Sequence, residues 1–451
     1  MTRARIAGGT AALLLFALLV ALGLVAARLL RNPDSKPDAT ASPAVARSPA
    51  TSAKAHQGFL YGRVTTRSGA VYEGRLRFGG DEEAFWGDYF NGFKEENPWA
   101  GDVPPERLTE SRPVTVLGVE IAQRTRKPNL GRPFMARFGD VRRIEPSGRA
   151  LLVTLKSGTE FVLNRFDADD FADGVRVWDD EQGVVDLGER RIRAIELLPT
   201  ADLEATPDRL HGTVRTAHGS FTGFVQWDRQ FGVGSDELQG RAAEGELSLR
   251  FDAIRTIARD SENRAKVTLR DGGEFVLSGT RAAGRGNRGV YVDDARYGRA
   301  LVSWEAFERL DFAEGDGSGP AYDDFPPGQA LSGTVTTRTG SRLTGRLVFD
   351  LDESETTETL DAPAGGVDYT IPFGLVASIE PPDQEECDSG RGVSVALQSS
   401  ELLQLDCAGD LTPSNPGMLI FLNGSETTEF VPWANVARIA LDRGPAEIGS
   451  K

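Results

Sequence analysis

Short runs of alternating apolar and polar residues recur along most of the chain, separated by glycine turns, and this period of two predicts β-strands. Three segments open alike: Tyr61-Gly62-Arg63-Val64-Thr65-Thr66 with Gly69 and Gly74, His211-Gly212-Thr213-Val214-Arg215-Thr216 with Gly219 and Gly223, and Ser332-Gly333-Thr334-Val335-Thr336-Thr337 with Gly340 and Gly345. In each, glycine returns seven residues after the first, where a tight hairpin needs a positive φ. A second, shorter hairpin family lies between them: Val153-Thr154-Leu155 before Ser157-Gly158, Val267-Thr268-Leu269 before Asp271-Gly272, and Val395-Ala396-Leu397 before Ser399-Ser400.

Each unit closes on large apolar residues three apart: Phe138, Val141, Ile144; Phe251, Ile254, Ile257; Trp304, Phe307, Leu310; Phe373, Val376, Ile379; Trp433, Val436, Ile439. The copy around Leu187, Ile192 and Ile195 carries extra residues. A step of three after a strand-like run predicts one 3₁₀ turn between two final strands. The fold class is therefore all-β, with six units of about fifty residues at 59–146, 148–198, 209–258, 262–313, 329–380 and 390–442. Long and short units alternate, which predicts three composite repeats, 58–198, 209–313 and 329–442. Hairpin, third strand, fourth strand, 3₁₀ turn and fifth strand is an order that resembles small SH3-like or Sm-like barrels. The three-part pattern also resembles exported bacterial β-repeat proteins of unassigned function, which implies compartment and little else. Neither an RNA-binding nor a peptide-binding signature accompanies it. A six-bladed propeller is the competing architecture.

The first unit departs from the rest by an insertion of roughly forty residues, and loops of that length in compact domains are usually functional or disordered. Phe85, Trp86, Tyr89, Phe90, Phe93 and Trp99 crowd there beside Asp88 and Asn91, and Val114 to Ile121 has the pattern of an added strand. Rings flanked by carboxylates and amides suit a glycan or peptide, so these eight are the candidate ligand-binding residues; the plainer alternative is that the rings seal the open end of the first barrel. A second acidic stretch, Asp167 to Gly174, resembles a calcium loop only in its closely spaced carboxylates ahead of a glycine, and carries Trp178 where the loop's last ligand, a glutamate, would stand. It reads as a solvated turn, with no metal.

Among 451 residues, 67 acidic against 51 basic side chains leave a formal charge of −16, which repels phosphate backbones and argues against nucleic acid as a partner. Three histidines, and no Gly-x-Ser-x-Gly, His-Glu-x-x-His or Gly-x-x-x-x-Gly-Lys run, leave no recognised catalytic set and call for no cofactor. Paired carboxylates of a carbohydrate-active enzyme leave no local signature, so that alternative stays open.

Residues 1–31 hold an uncharged apolar run, Ile6 to Ala27, between Arg3, Arg5 and Arg28, Arg31. At about 1.5 Å per residue it reaches across a hydrocarbon core of about 30 Å, as an anchor would. Cleavage near Ala27 is the alternative, and no cysteine follows for a lipid anchor. Residues 32–57 are rich in Pro, Ala and Ser, the composition of a spacer. Export makes the two cysteines, Cys387 and Cys407, a disulfide, although hairpin register alone would not set them opposite each other. The expectation is a single-pass protein of the cytoplasmic membrane with its folded part in the periplasm or outside the cell. It would be a non-catalytic binding or scaffolding module for an envelope protein or glycan. A purely structural envelope protein is the alternative.

Overall fold

The alternating runs become strands because each offers one apolar face, and that face must be covered by a neighbouring strand or sheet. The computed structural model describes residues 56–103, 132–201, 203, 208–243, 245–279, 284–313 and 317–444, together with the backbone of 110–116 and 119–126. The anchor expected at 1–31 and nearly all of the spacer expected at 32–57 lie outside the described residues. Among the described residues no helix is long and apolar enough to cross a membrane.

The chain from Pro49 onward forms one compact, mostly β unit, with two short α-helices among the described residues, Asp169–Ala172 and Gln384–Asp388. Three antiparallel sheets of eight, twelve and eight strands carry it, with two two-stranded ribbons, and none of them closes on itself. One ribbon pairs Glu110–Val116 with Val119–Arg126, so the single strand expected from Val114 to Ile121 is divided between the two strands of a hairpin. Sheets of this size are not the four-stranded blades of a propeller.

Pairing departs from the order of the sequence. The hairpin Tyr61–Thr66 and Val71–Phe78 skips the strands that follow it. Its second strand pairs with Val175–Asp179, which pairs onward with Gly183–Leu187, and its first strand pairs with Ile192–Leu197. The skipped strands make an inner group: Val141–Ser147, Ala150–Leu155 and Glu160–Asn164 in a row, with Tyr89–Phe93 paired to Pro133–Arg137 and tied on by the Lys94–Leu163 bridge.

The same interleaving recurs twice. His211–Thr216 and Gly219–Trp227 join Val290–Asp294, Gly298–Val302 and Phe307–Phe312; Ser332–Thr337 and Arg342–Val348 join Met418–Leu422, Thr428–Val431 and Val436–Leu441. Five-strand groups are present, but each pair of groups is threaded through the other. A fifty-residue repeat therefore lacks strands with which its own hairpin pairs.

Two sequence signatures acquire a physical reason. The closing triads lie entirely in the core, from Phe138, Val141 and Ile144 through Trp433, Val436 and Ile439, because a 3₁₀ turn such as Phe138–Asp140 feeds a strand whose inward positions continue its buried face. Each such side chain contributes about 1.5–3 kcal/mol by burial. The paired glycines Gly62 and Gly74, Gly212 and Gly223, and Gly333 and Gly345 are cross-strand partners, and a neighbouring strand's carbonyl lies where a Cβ would stand. At Gly74 the obstacle is Trp178 O, 1.8 Å from an added Cβ.

The second and third composites share one continuous hydrophobic core and a sheet, since Gly298–Val302 pairs with Val367–Pro372. The first has its own core, completed by Phe224, Tyr322 and Phe325 from beyond its boundary. Cys387 and Cys407 are at disulfide distance, with Cα atoms 6.1 Å apart and 20 residues of separation. Cys387 rides on the short helix Gln384–Asp388, capped by Asp383, and not on a ladder, which is how the pair meets despite hairpin register.

A fragment 59–146, the first sequential unit, should show no cooperative β-sheet transition by circular dichroism, because Val175–Asp179 and Ile192–Leu197 are missing from its hairpin. A folded fragment would contradict the interleaving. Replacing both cysteines with serine should lower stability by about 3 kcal/mol in urea unfolding, the chain-entropy value for a loop of this size.

Candidate functional site

Every composite must turn from its outer hairpin into its inner group, and the three turns share one construction. Phe78, Trp227 and Phe349 are buried at the end of the hairpin, and two residues of positive φ follow: Gly79 and Gly80, Asp228 and Arg229, Asp350 and Leu351. Side chains other than glycine rarely adopt that conformation, so the second and third turns are held there by their surroundings. Part of the hold is a carboxylate eight to ten residues on. Asp88 Oδ2 accepts from the N–H groups of Glu83 and Ala84, Asp236 Oδ2 from Gly232 and Val233, and Glu358 Oε2 from Ser354 and Glu355.

In the first and third turns the other carboxylate oxygen reaches a different composite. Gln226 Nε2 donates to Asp88 Oδ1, and Lys94 Nζ donates to Glu358 Oε1 at 2.9 Å. Lys94 also donates to Asp352 Oδ1 at 2.9 Å, with all three side chains at most 8% exposed. Burial works against the lysine's charge, but Glu358, Asp352 and Glu353 outweigh it and hold its pKa above the ordinary value.

Three of the insertion's rings, Phe85, Trp86 and Tyr89, also make contacts beyond the first composite. Phe85 packs on Tyr322 and Phe325, Trp86 on Phe325, Phe90 on Phe78 and Phe138, and the Tyr89 ring lies 4.5 Å from the Arg299 guanidinium. Phe85, Trp86, Asp88, Tyr89 and Phe90 are all buried: Phe85 and Trp86 against Tyr322 and Phe325 in the stretch between the second and third composites, Tyr89 against Arg299 of the second, and Phe90 within the first. Phe93 and Trp99 are half-buried, the latter against Phe421 and Arg346 of the third composite. Asn91 is exposed, and its Nδ2 donates to Asp170 Oδ2 and Tyr89 O. Asp170, in the acidic stretch read as solvated, is buried by that contact and also accepts from Asn91 N–H.

Where Lys94 meets the third composite a cavity of about 290 Å³ opens. Asn91, Lys94, Arg132 and Phe134 line it from one side, and Asp350, Asp352, Glu353, Glu358, Asp361 and Asp410 from the other. Of the eight candidate residues only Asn91 is among its walls. Asp350 is 7% exposed, and its Oδ1 has no hydrogen-bond partner; Glu353 Oε2 is likewise buried and unpaired. Arg132 NH1 stands 3.7 Å from Asp350 Oδ2.

Six carboxyl groups share this space with two cations, and burial pushes several toward the neutral form. Asp350 is raised to about 7, by burial that Arg132 only partly offsets, and Asp410 to about 8, by burial and then by Asp361. Burial, followed by the charge of Asp352, lifts Glu353 well above the carboxylate range. The first composite repeats the theme: burial and Asp170 raise Glu82 to about 10, its Oε2 is unpaired, and burial raises Asp170 to about 6. The second composite has Gln230 and Phe231 in the corresponding turn. Among the described residues no group of three or more His, Cys, Asp or Glu is placed to hold a metal ion.

No family model matches the chain, and comparison with curated proteins and with solved structures found no match.

Sequence reasoning missed Lys94, Arg132 and the carboxylates from Asp350 to Asp410. The available signal was the alignment of Asp81-Glu82-Glu83 to Asp88 with Asp352-Glu353 to Glu358, each placed after a hairpin. Glu82, Asp170, Asp350 and Asp410 have folded pKa values above their unfolded ones, so each holds its proton more tightly when folded. Their stabilisation is complete below about pH 4 and is lost as pH rises through 6 to 8, and through about 10 for Glu82. The melting temperature should therefore fall between pH 5 and pH 9, and Asp350→Asn with Asp410→Asn should flatten that slope. A melting temperature that climbs over this range would contradict the assignment.

Proposed function

We propose that the chain is a non-catalytic binding or scaffolding protein, displayed outside the cytoplasmic membrane, and that it contacts its ligand through the acidic cavity between the first and third composites. The observation that carries this reading is the pair of buried acceptors without partners, Asp350 Oδ1 and Glu353 Oε2, on two residues that line a cavity of about 290 Å³. Buried polar atoms normally find partners, and a missing one costs about 1–3 kcal/mol unless something supplies the donor. A purely structural envelope protein leaves those acceptors unaccounted for. A carbohydrate-active enzyme would want ring faces to hold the sugar, and the insertion's rings are occupied in packing. The apolar run Ile6 to Ala27 and the spacer after it support display at the membrane.

The test is affinity capture from envelope extract with the soluble portion from residue 50 onward, beside the same protein carrying Asp350→Asn and Glu353→Gln. The wild type should retain a partner that the variant loses by about tenfold or more, the scale of one hydrogen bond to a charged group. Equal recovery by both would remove the cavity from the binding surface.

A further inference from the structure

We propose that the cavity between the first and third composites binds a protonated primary amine, either a free diamine or polyamine or the side chain of a lysine. The inference rests on the binding reading above and names the chemistry of the ligand.

The site already holds one ammonium group. Lys94 Nζ sits between Asp352 Oδ1 and Glu358 Oε1 at 2.9 Å from each, which is the contact a second ammonium would make with the carboxylates left over. Those are Asp350, Glu353, Asp361 and Asp410, all in the cavity wall. Two of their oxygens, Asp350 Oδ1 and Glu353 Oε2, are buried and accept nothing. The titratable groups lining the space are Asp350, Asp352, Glu353, Glu358, Asp361 and Asp410 against Lys94 and Arg132, so once the carboxyls ionise an anion is repelled and a cation favoured. A metal ion requires several ligands at fixed short distances, and the described residues provide no such grouping. An ammonium requires only acceptors near 2.9 Å, with no set coordination geometry. The volume of about 290 Å³ suits a short alkyl amine, and Phe134 offers the chain an apolar wall.

Without ligand, burial raises Asp350 to about 7 and Asp410 to about 8, so near pH 6 both hold their protons. An arriving ammonium stabilises the carboxylate form, so each charge it pairs with releases a proton to solvent. Binding must therefore tighten as pH rises toward the upper of those values.

The experiment is isothermal titration of the chain from residue 50 onward with 1,4-diaminobutane, with spermidine, and with a blocked Gly-Lys-Gly peptide. Each is run near pH 6 and near pH 8.5, in two buffers of different ionisation enthalpy. The expected result is saturable binding of at least one amine, about tenfold tighter at the higher pH, with proton release visible as a buffer-dependent heat. Asp350→Asn and Glu353→Gln should each weaken it about tenfold, while Glu82→Gln in the first composite leaves it unchanged. The substitutions copy the protonated carboxyl, and unfolding curves near pH 6 establish that the variants are folded. Binding by diamine alone identifies a free amine as the source, and binding by the peptide identifies a lysine side chain. Absence of binding by all three near pH 8.5, or equal binding by all the variants, overturns the proposal. If capture from envelope extract still depends on Asp350 and Glu353 in that case, the binding reading stands with a different ligand chemistry.

Discussion

A carboxylate with two jobs holds this molecule in shape. Asp88 and Glu358 each turn one oxygen inward, to two backbone N–H groups of their own turn, and the other outward, to a donor from another composite. The inward bonds fix the turn between the outer hairpin and the inner strands. The outward bond makes that turn the docking point for its neighbour. Local folding and assembly of the composites are thereby coupled, and breaking a buried ion pair such as Lys94 with Glu358 typically costs about 3–5 kcal/mol because the other charge is left uncompensated.

The acidic cavity follows from the same arrangement. Delivering Lys94 to Glu358 brings the inserted strands of the first composite against the acidic turn of the third, and the remaining carboxylates are buried as a result. Leu351, at a φ of 59°, shows what the junction imposes: its buried side chain packs with Val103, Val348 and Leu419, and the backbone accepts an unfavourable conformation to put it there. Gly87 is confined from the other flank, where an added Cβ would lie 2.3 Å from Asp293 Oδ2.

Much of the fold was legible in the sequence, because strands, hairpins and core triads are local. Gly69 and Gly340 stand at positive φ in hairpin turns, and Phe251, Ile254 and Ile257 are buried three apart as their spacing predicts. Pairing between hairpins was not legible, since nothing in Val71 to Phe78 specifies that its neighbour is Val175–Asp179 and not the next strand along. The rings of the insertion were visible as a cluster, but a sequence does not record whether an aromatic group meets solvent or another part of its own chain. Phe85 meets Tyr322, more than two hundred residues away. The three turns escaped recognition because Gly79-Gly80, Asp228-Arg229 and Asp350-Leu351 share a backbone shape and almost no chemistry.

The ladder between Gly298–Val302 and Val367–Pro372 has a mechanical corollary. It welds the second and third composites into a single load-bearing plate, whereas among the described residues no strand pairing crosses from the first composite to either of them. Tension entering through the amino-terminal segment reaches that less firmly attached composite first. Under a pull, the side-chain contacts around Asp88 and Lys94 are therefore the fuse, and their rupture would expose the acidic wall while leaving the plate intact.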